Sequence, residues 1–167
     1  MTIFAVDVDY RQTYAAAAGV MFNNWEDSRP NSQSVIRVDE IAEYEPGYFY
    51  KRELPCLLKL LDELNSLPEY IIVDGYVYLD GIQQAGLGKH LYDAIEGKSI
   101  VIGVAKTRFK DISGEFEVFR SNSQRPLYVT AIGISNEAAK SLIEKMHGQY
   151  RIPTMLKIVD KLSKQTQ

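Results

Sequence analysis

The chain has 167 residues, 46% hydrophobic and 25% charged, with a formal net charge of −3. That suits one domain over residues 1–167 with a sizeable core, and the slight acid excess argues against a sequence-blind nucleic-acid binder with a basic face. A single cysteine excludes an internal disulfide, no apolar run approaches the ~20 residues of a membrane span, and MTIFAVDVDY lacks the basic-then-apolar order of a signal peptide, so a cytoplasmic protein without a membrane partner is expected.

Residues 2–10 read as a strand, 13–22 (TYAAAAGVMF) as a second strand of small residues, and 33–38 (QSVIRV) as a third, alternating one. The spacing of Leu54, Leu57, Leu58, Leu61 and Leu64 predicts a helix over 51–65, with Pro55 in its first turn. A buried strand follows at 70–74, a helix near 86–95, and strands at 99–105, 115–119 and 127–132. Ser135 is an N-cap candidate for a helix over 136–147, and Pro153 opens a last helix through about 163. Helices interleaved with strands predict an α/β protein, with a mixed sheet because the first three strands can form a meander. This order resembles the ribonuclease H-like fold, a mixed sheet flanked by helices in which acids from the first strand, first helix and fourth strand converge on metal.

Three acids fall in those elements. Asp7 lies between Val6 and Val8, with Asp9 on the same side of the strand. Taken alone it reads more readily as a solvent-facing acid than as a ligand. Asp74 follows Ile71, Ile72 and Val73 and precedes Gly75. It is either a ligand at the carboxyl end of a buried strand or an ordinary Asp-Gly turn. Glu53 in the first helical turn complements the macrodipole, yet Lys51 and Arg52 before it fit better if something anionic passes close by. A carboxylate beside a core is costly unless a cation neutralises it. Three at one sheet edge suggest a divalent metal and phosphoryl-transfer chemistry. Lys106, ending SIVIGVAK, either offsets charge on a phosphate or snorkels from a strand end. His90 and His147 have no partner at metal-ligand spacing and read as helix-surface residues, and Cys56 reads as a buried, inert thiol. From Lys140 onward six basic residues face two acids, a basic face for a phosphate backbone or simply a solvated one, while 39–45 is acidic.

Together the motifs resemble the endonuclease V family. AVDVDY, EYEPGYFYKRELP, VDGYVYLDGIQQAGLGKHLY, IGVAK and YRIPTMLKIVDKLS match five family segments in order, spanning residues 3 to 163. The resemblance implies a Mg²⁺ (or Mn²⁺) site at Asp7, Asp74 and Glu53, an active-site lysine at Lys106, a strand-separating wedge at Tyr44 with Pro46 and Gly47 behind it, and a late acid at Asp160. It places Gly75 and Asp80 in the segment that meets the flipped base. There the chain departs from the family: Asp80 stands for a histidine, Val77 for the second glycine, and Glu43 for the proline before the wedge. The implied activity is hydrolysis on the 3′ side of a deaminated purine, inosine, in DNA or RNA, leaving a 5′-phosphate, by a monomer. The rivals are a related nuclease of changed specificity, a non-catalytic nucleic-acid-binding module, and a protein-interaction domain using the acidic 39–45 stretch.

Overall fold

The computed structural model describes residues 1–46 and 48–165. Seven strands run in chain order as β1 (Ile3–Tyr10), β2 (Ala15–Phe22), β3 (Ser32–Val38), β4 (Tyr70–Asp74), β5 (Ile100–Ala105), β6 (Glu117–Val118) and β7 (Leu127–Ile132). They form one sheet in the order β3-β2-β1-β4-β5-β7-β6. The β1–β2–β3 meander is antiparallel, β4 is parallel to both β1 and β5, and β7 runs antiparallel to β5 and β6. The mixed sheet is thus as expected, and the parallel β1–β4–β5 centre brings three strand ends to one edge.

The pleat sorts side chains to two cores. Ile3 and Ala5 of β1 face α3 (Asn136–Glu144) and α4 (Thr154–Lys164), whereas Phe4, Val6 and Val8 face α1 (Phe49–Asp62) and α2 (Leu87–Ala94). Burial of a residue such as Leu57, Leu60, Leu91 or Ile143 stabilises the packing by roughly 1.5–3 kcal/mol each. The alanines of β2 leave room for α4 to pack close to the sheet. No helix among the described residues is long and apolar enough to cross a membrane.

Three elements differ in extent from expectation. The helix predicted over 51–65 starts at Phe49, so Pro55 lies inside it and Glu53 in its second turn. Its buried stripe is Glu53, Cys56, Leu57, Leu60 and Leu61, with Leu54, Leu58 and Leu64 only partly covered. The strand predicted at 115–119 shrinks to β6, because Ser113 accepts a bond from the Glu115 N–H and turns Gly114–Phe116 into a single 3₁₀ turn. The helix predicted to 147 ends at Glu144, and the carbonyls beyond it turn to a buried arginine described below. Ser135 does cap α3, accepting from the Ala138 N–H at 3.1 Å.

Gly103 in the middle of β5 touches the segment after Asp74: a Cβ there would sit 2.6 Å from the Gly75 carbonyl oxygen and 2.8 Å from the Val77 nitrogen. Both neighbours are backbone and cannot swing aside. Gly103→Ala should therefore lower unfolding free energy by about 1–3 kcal/mol in urea titration, whereas overpacking is refuted if the midpoint does not move.

Candidate active site

The β1–β4 ladder pairs Ile3 with Tyr70, Phe4 with Ile71 and Ala5 with Ile72, then stops. Continued by two residues, it would set Asp7 directly opposite Asp74, about 5 Å away. The strands part before like charges meet. Asp7 shares the sheet face of Ile3 and Ala5, and Asp74 that of Ile72. With Lys106, Ile152, Leu156 and Val159 they line a pocket between the strand ends and α4.

Glu53 comes from the opposite side. It occupies the core-facing stripe of α1, three and four residues before Cys56 and Leu57, and is only 4% exposed. Its Oε2 is buried without a hydrogen-bond partner. Burial pushes its carboxyl well above the usual carboxylate range, and Asp7 and Asp74 push it further. Asp7, 8% exposed, is pushed up to about 7, first by burial and then by Asp74. Its Oδ1 accepts from the Val8 N–H at 2.9 Å, and the nearby Asp160 carboxylate of α4 raises it further. Asp160 is held low, against its partial burial, by Lys164 at 3.1 Å and by the Asp7 bond. Asp74 lies at the rim; burial against the strand ends raises it and Lys106, 3.8 Å from its Oδ2, pulls it down.

Five of the expected residues therefore meet in one place: Asp7, Glu53, Asp74, Lys106 and Asp160. Among the described residues no three carboxylates, histidines or cysteines are already drawn into a closed cation cage. The donor set nonetheless fits a hard divalent cation. It is all oxygen, carries an excess of negative charge, and includes a buried oxygen with nothing to bind.

The other expected residues lie around this cluster. Gly75 follows Asp74 with φ +144°, a conformation that favours glycine, and its N–H donates to the Val104 carbonyl. Tyr44, 60% exposed, and Pro46 lie on the irregular segment leading into α1, outside the pocket lining; Gly47 lies outside the described residues. Asp80 does not join the carboxylates: its Oδ1 accepts from the N–H groups of Ile82, Gln83 and Gln84, which hold it below the usual range. It shapes the tip of a small hairpin closed by the Tyr78–Ala85 bridge. Asp9 is tied to Arg11 at 2.6 Å and is a bystander. His90 stacks under Tyr50 at 3.7 Å, and His147 lies just beyond α3, bonded to Thr154.

Three basic groups have contacts that sequence reasoning did not foresee. Arg52, noted before the helix acid, lies 3.8 Å over the Tyr10 ring, beside Glu53. Arg120 and Arg151 bind main-chain carbonyls far along the chain, contacts that no local pattern marks.

The profile of the endonuclease V family matches residues 1–123. An endonuclease V of Alkalilimnicola ehrlichii is 32% identical, over 93% of this chain and 75% of its own length. Two solved structures share the fold. The endonuclease V of Ciona intestinalis, solved with a 24mer DNA containing an inosine followed by a ribo-adenosine, has a TM-score of 0.81 at 20% identity, over 97% of this chain and 84% of that one. That of Streptomyces avermitilis has a TM-score of 0.79 at 24% identity, over 98% and 79% respectively.

The raised Asp7 carboxyl has a consequence for stability. Between the ordinary carboxyl range and about pH 7 the folded chain holds a proton the unfolded chain has lost, so stability falls as pH rises through that window. Asp7→Asn should stabilise the protein in chelator by up to about 4 kcal/mol at pH 8 and by far less at pH 4. Thermal melts at the two pH values check this; equal shifts would mean that Asp7 is not strained by its charge.

Proposed function

The chain belongs to the endonuclease V family of nucleases, and we propose that it is a metal-dependent endonuclease that hydrolyses a phosphodiester bond on the 3′ side of inosine in DNA or RNA, leaving a 5′-phosphate. The observation that carries the metal-dependent part is the orphaned, buried Glu53 oxygen facing the Asp7 and Asp74 charges. The inosine part is supported by the family and by the inosine-containing DNA bound to the Ciona protein.

Asp7, Asp74 and Glu53 would hold Mg²⁺ or Mn²⁺, which when bound supplies the charge that makes water nucleophilic at neutral pH and steadies the leaving oxygen. The chain's own groups do the rest. Lys106, half-exposed and aimed at Asp74, offsets charge on the phosphate as it builds up. Asp160 lines the same site on the α4 side and takes part in its proton balance. Tyr44 wedges beside the base, Pro46 and Gly47 shape the segment behind it, and Gly75 lets backbone approach the extruded base. Asp80 acts on the substrate through the hairpin it shapes. The protein works on nucleic acid as a monomer in the cytoplasm.

A second reading, a nuclease of altered base preference, is favoured by that hairpin. Val77 is buried in the α1/α2 core and Asp80 is committed to its own turn.

Labelled DNA and RNA strands with and without one inosine, incubated with Mg²⁺, Mn²⁺ or chelator, test both readings. Expected are cuts 3′ to inosine only, none in chelator, none with Asp74→Ala, and kcat lowered roughly 10²–10³-fold in Lys106→Ala. Equal cutting of both sets would select altered preference; no cutting of any strand with either metal would sink the catalytic reading.

A further inference from the structure

Lys106 sits one residue beyond β5, half-exposed, and its ion pair with Asp74 is loose at 3.8 Å. A long side chain on a strand end is free to wander unless its backbone is fixed. The fixing group is Arg151. Its Nη2 donates to the Lys106 carbonyl oxygen, while Nε and Nη2 donate to the Pro126 carbonyl at 3.1 and 2.8 Å. Pro126 leads into β7, whose Tyr128 pairs with Ala105 of β5. One planar guanidinium thus bridges the two strand ends beside the pocket.

Arg151 is itself held. Arg120, only 3% exposed, donates Nη1 to the carbonyls of Tyr150 and Arg151, and Nη2 to those of Met146 and Gly148. No carboxylate among the described residues forms an ion pair with it. Its Nη groups meet main-chain oxygens alone while its Nε is buried without a partner, an expensive way to fix a loop. This loop runs from the end of α3 to the start of α4, the helix that carries Asp160. Ile152, the next residue after Arg151, lines the pocket with Lys106.

We propose that Arg151, locked by Arg120, is a positioning residue that fixes the Lys106 backbone, and with it the ammonium group, over the Asp74 end of the carboxylate cluster. The geometric part stands without any activity; the kinetic part rests on the proposed nuclease reading of Lys106. Removal of the guanidinium frees the Lys106 carbonyl and lets the strand ends separate, and small misplacement of a catalytic group lowers turnover more than binding.

The test uses the full chain labelled with ¹⁵N-lysine, the Lys106 Nζ signal being assigned by its loss in Lys106→Ala. Arg151→Gln is the main variant. Arg151→Lys, which keeps the charge and reaches one carbonyl, is the milder one should the first fold poorly. In a variant with wild-type far-ultraviolet dichroism and unchanged signals from the other lysines, the Lys106 signal should shift or broaden. The kcat on inosine-containing strands should drop roughly 10- to 100-fold with KM within about twofold, and Arg151→Gln should add no further loss in a Lys106→Ala background. An unmoved Lys106 signal, or full additivity of the two substitutions, would overturn the inference. A wild-type protein that cuts nothing removes the nuclease reading, while the Lys106 signal still decides the positioning role.

Discussion

Repulsion among Asp7, Asp74 and Glu53 is the constraint around which this molecule is arranged. Two parallel strands that would have met with carboxylates face to face instead stop pairing two residues earlier, and a pocket opens at their ends. A third acid approaches from α1, where helix periodicity assigns it to the buried stripe. Asp7 and Glu53 are raised mainly by burial and then by their acidic neighbours, while Asp74 is raised by burial and pulled back by Lys106. The fold tolerates the charges because packing elsewhere is extensive: two cores cover the sheet on both faces and hold the strand ends in place. An all-oxygen donor set with a buried, unpartnered oxygen suits a small, hard cation.

The supports of the site come from both sheet faces. The α1 helix delivers Glu53, and α4 on the other face delivers Asp160. The parallel β1–β4–β5 centre delivers Asp7, Asp74 and the backbone of Lys106. The late loop between α3 and α4, fastened by two arginines, ties the second face to the strand ends. Residues separated by more than a hundred positions therefore share one rigid frame, and no single element forms the pocket by itself.

Much of this was legible in the sequence. The β-branched runs around Asp7 and before Asp74 locate both acids at strand positions, and the order of elements gives the mixed sheet. Asp7 taken alone read as a solvent-facing acid, because a pleat period tells which face a residue takes but not what covers it; α4, nearly 150 residues later, covers it. Glu53 was placed in a first helical turn because the leucine repeat marks no helix before residue 51; the helix starts at Phe49, and Cys56 and Leu60 share the buried stripe with Glu53. Asp80 stands in the sequence where the family has a histidine, and only three-dimensional contacts reveal that its own turn uses its carboxylate up. Arg151 was visible only as part of a matched segment and Arg120 not at all, and the contacts of both were hidden, since a carbonyl acceptor leaves no mark on the residue that supplies it.

The Asp80 hairpin has one more implication. Its tip is organised by its own carboxylate and closed by the Tyr78–Ala85 bridge, and the Gly86 and Gly88 N–H groups return to Val77 and Tyr76. Its tip stands clear of the sheet, while its base is tied to β5 and β7 through the Gly75 N–H to the Val104 carbonyl and the Val77 N–H to the Thr130 hydroxyl. A lineage could exchange its length or its tip residues while the strands that carry the acids stay unaltered. The tip and the strand ends would then evolve on separate clocks.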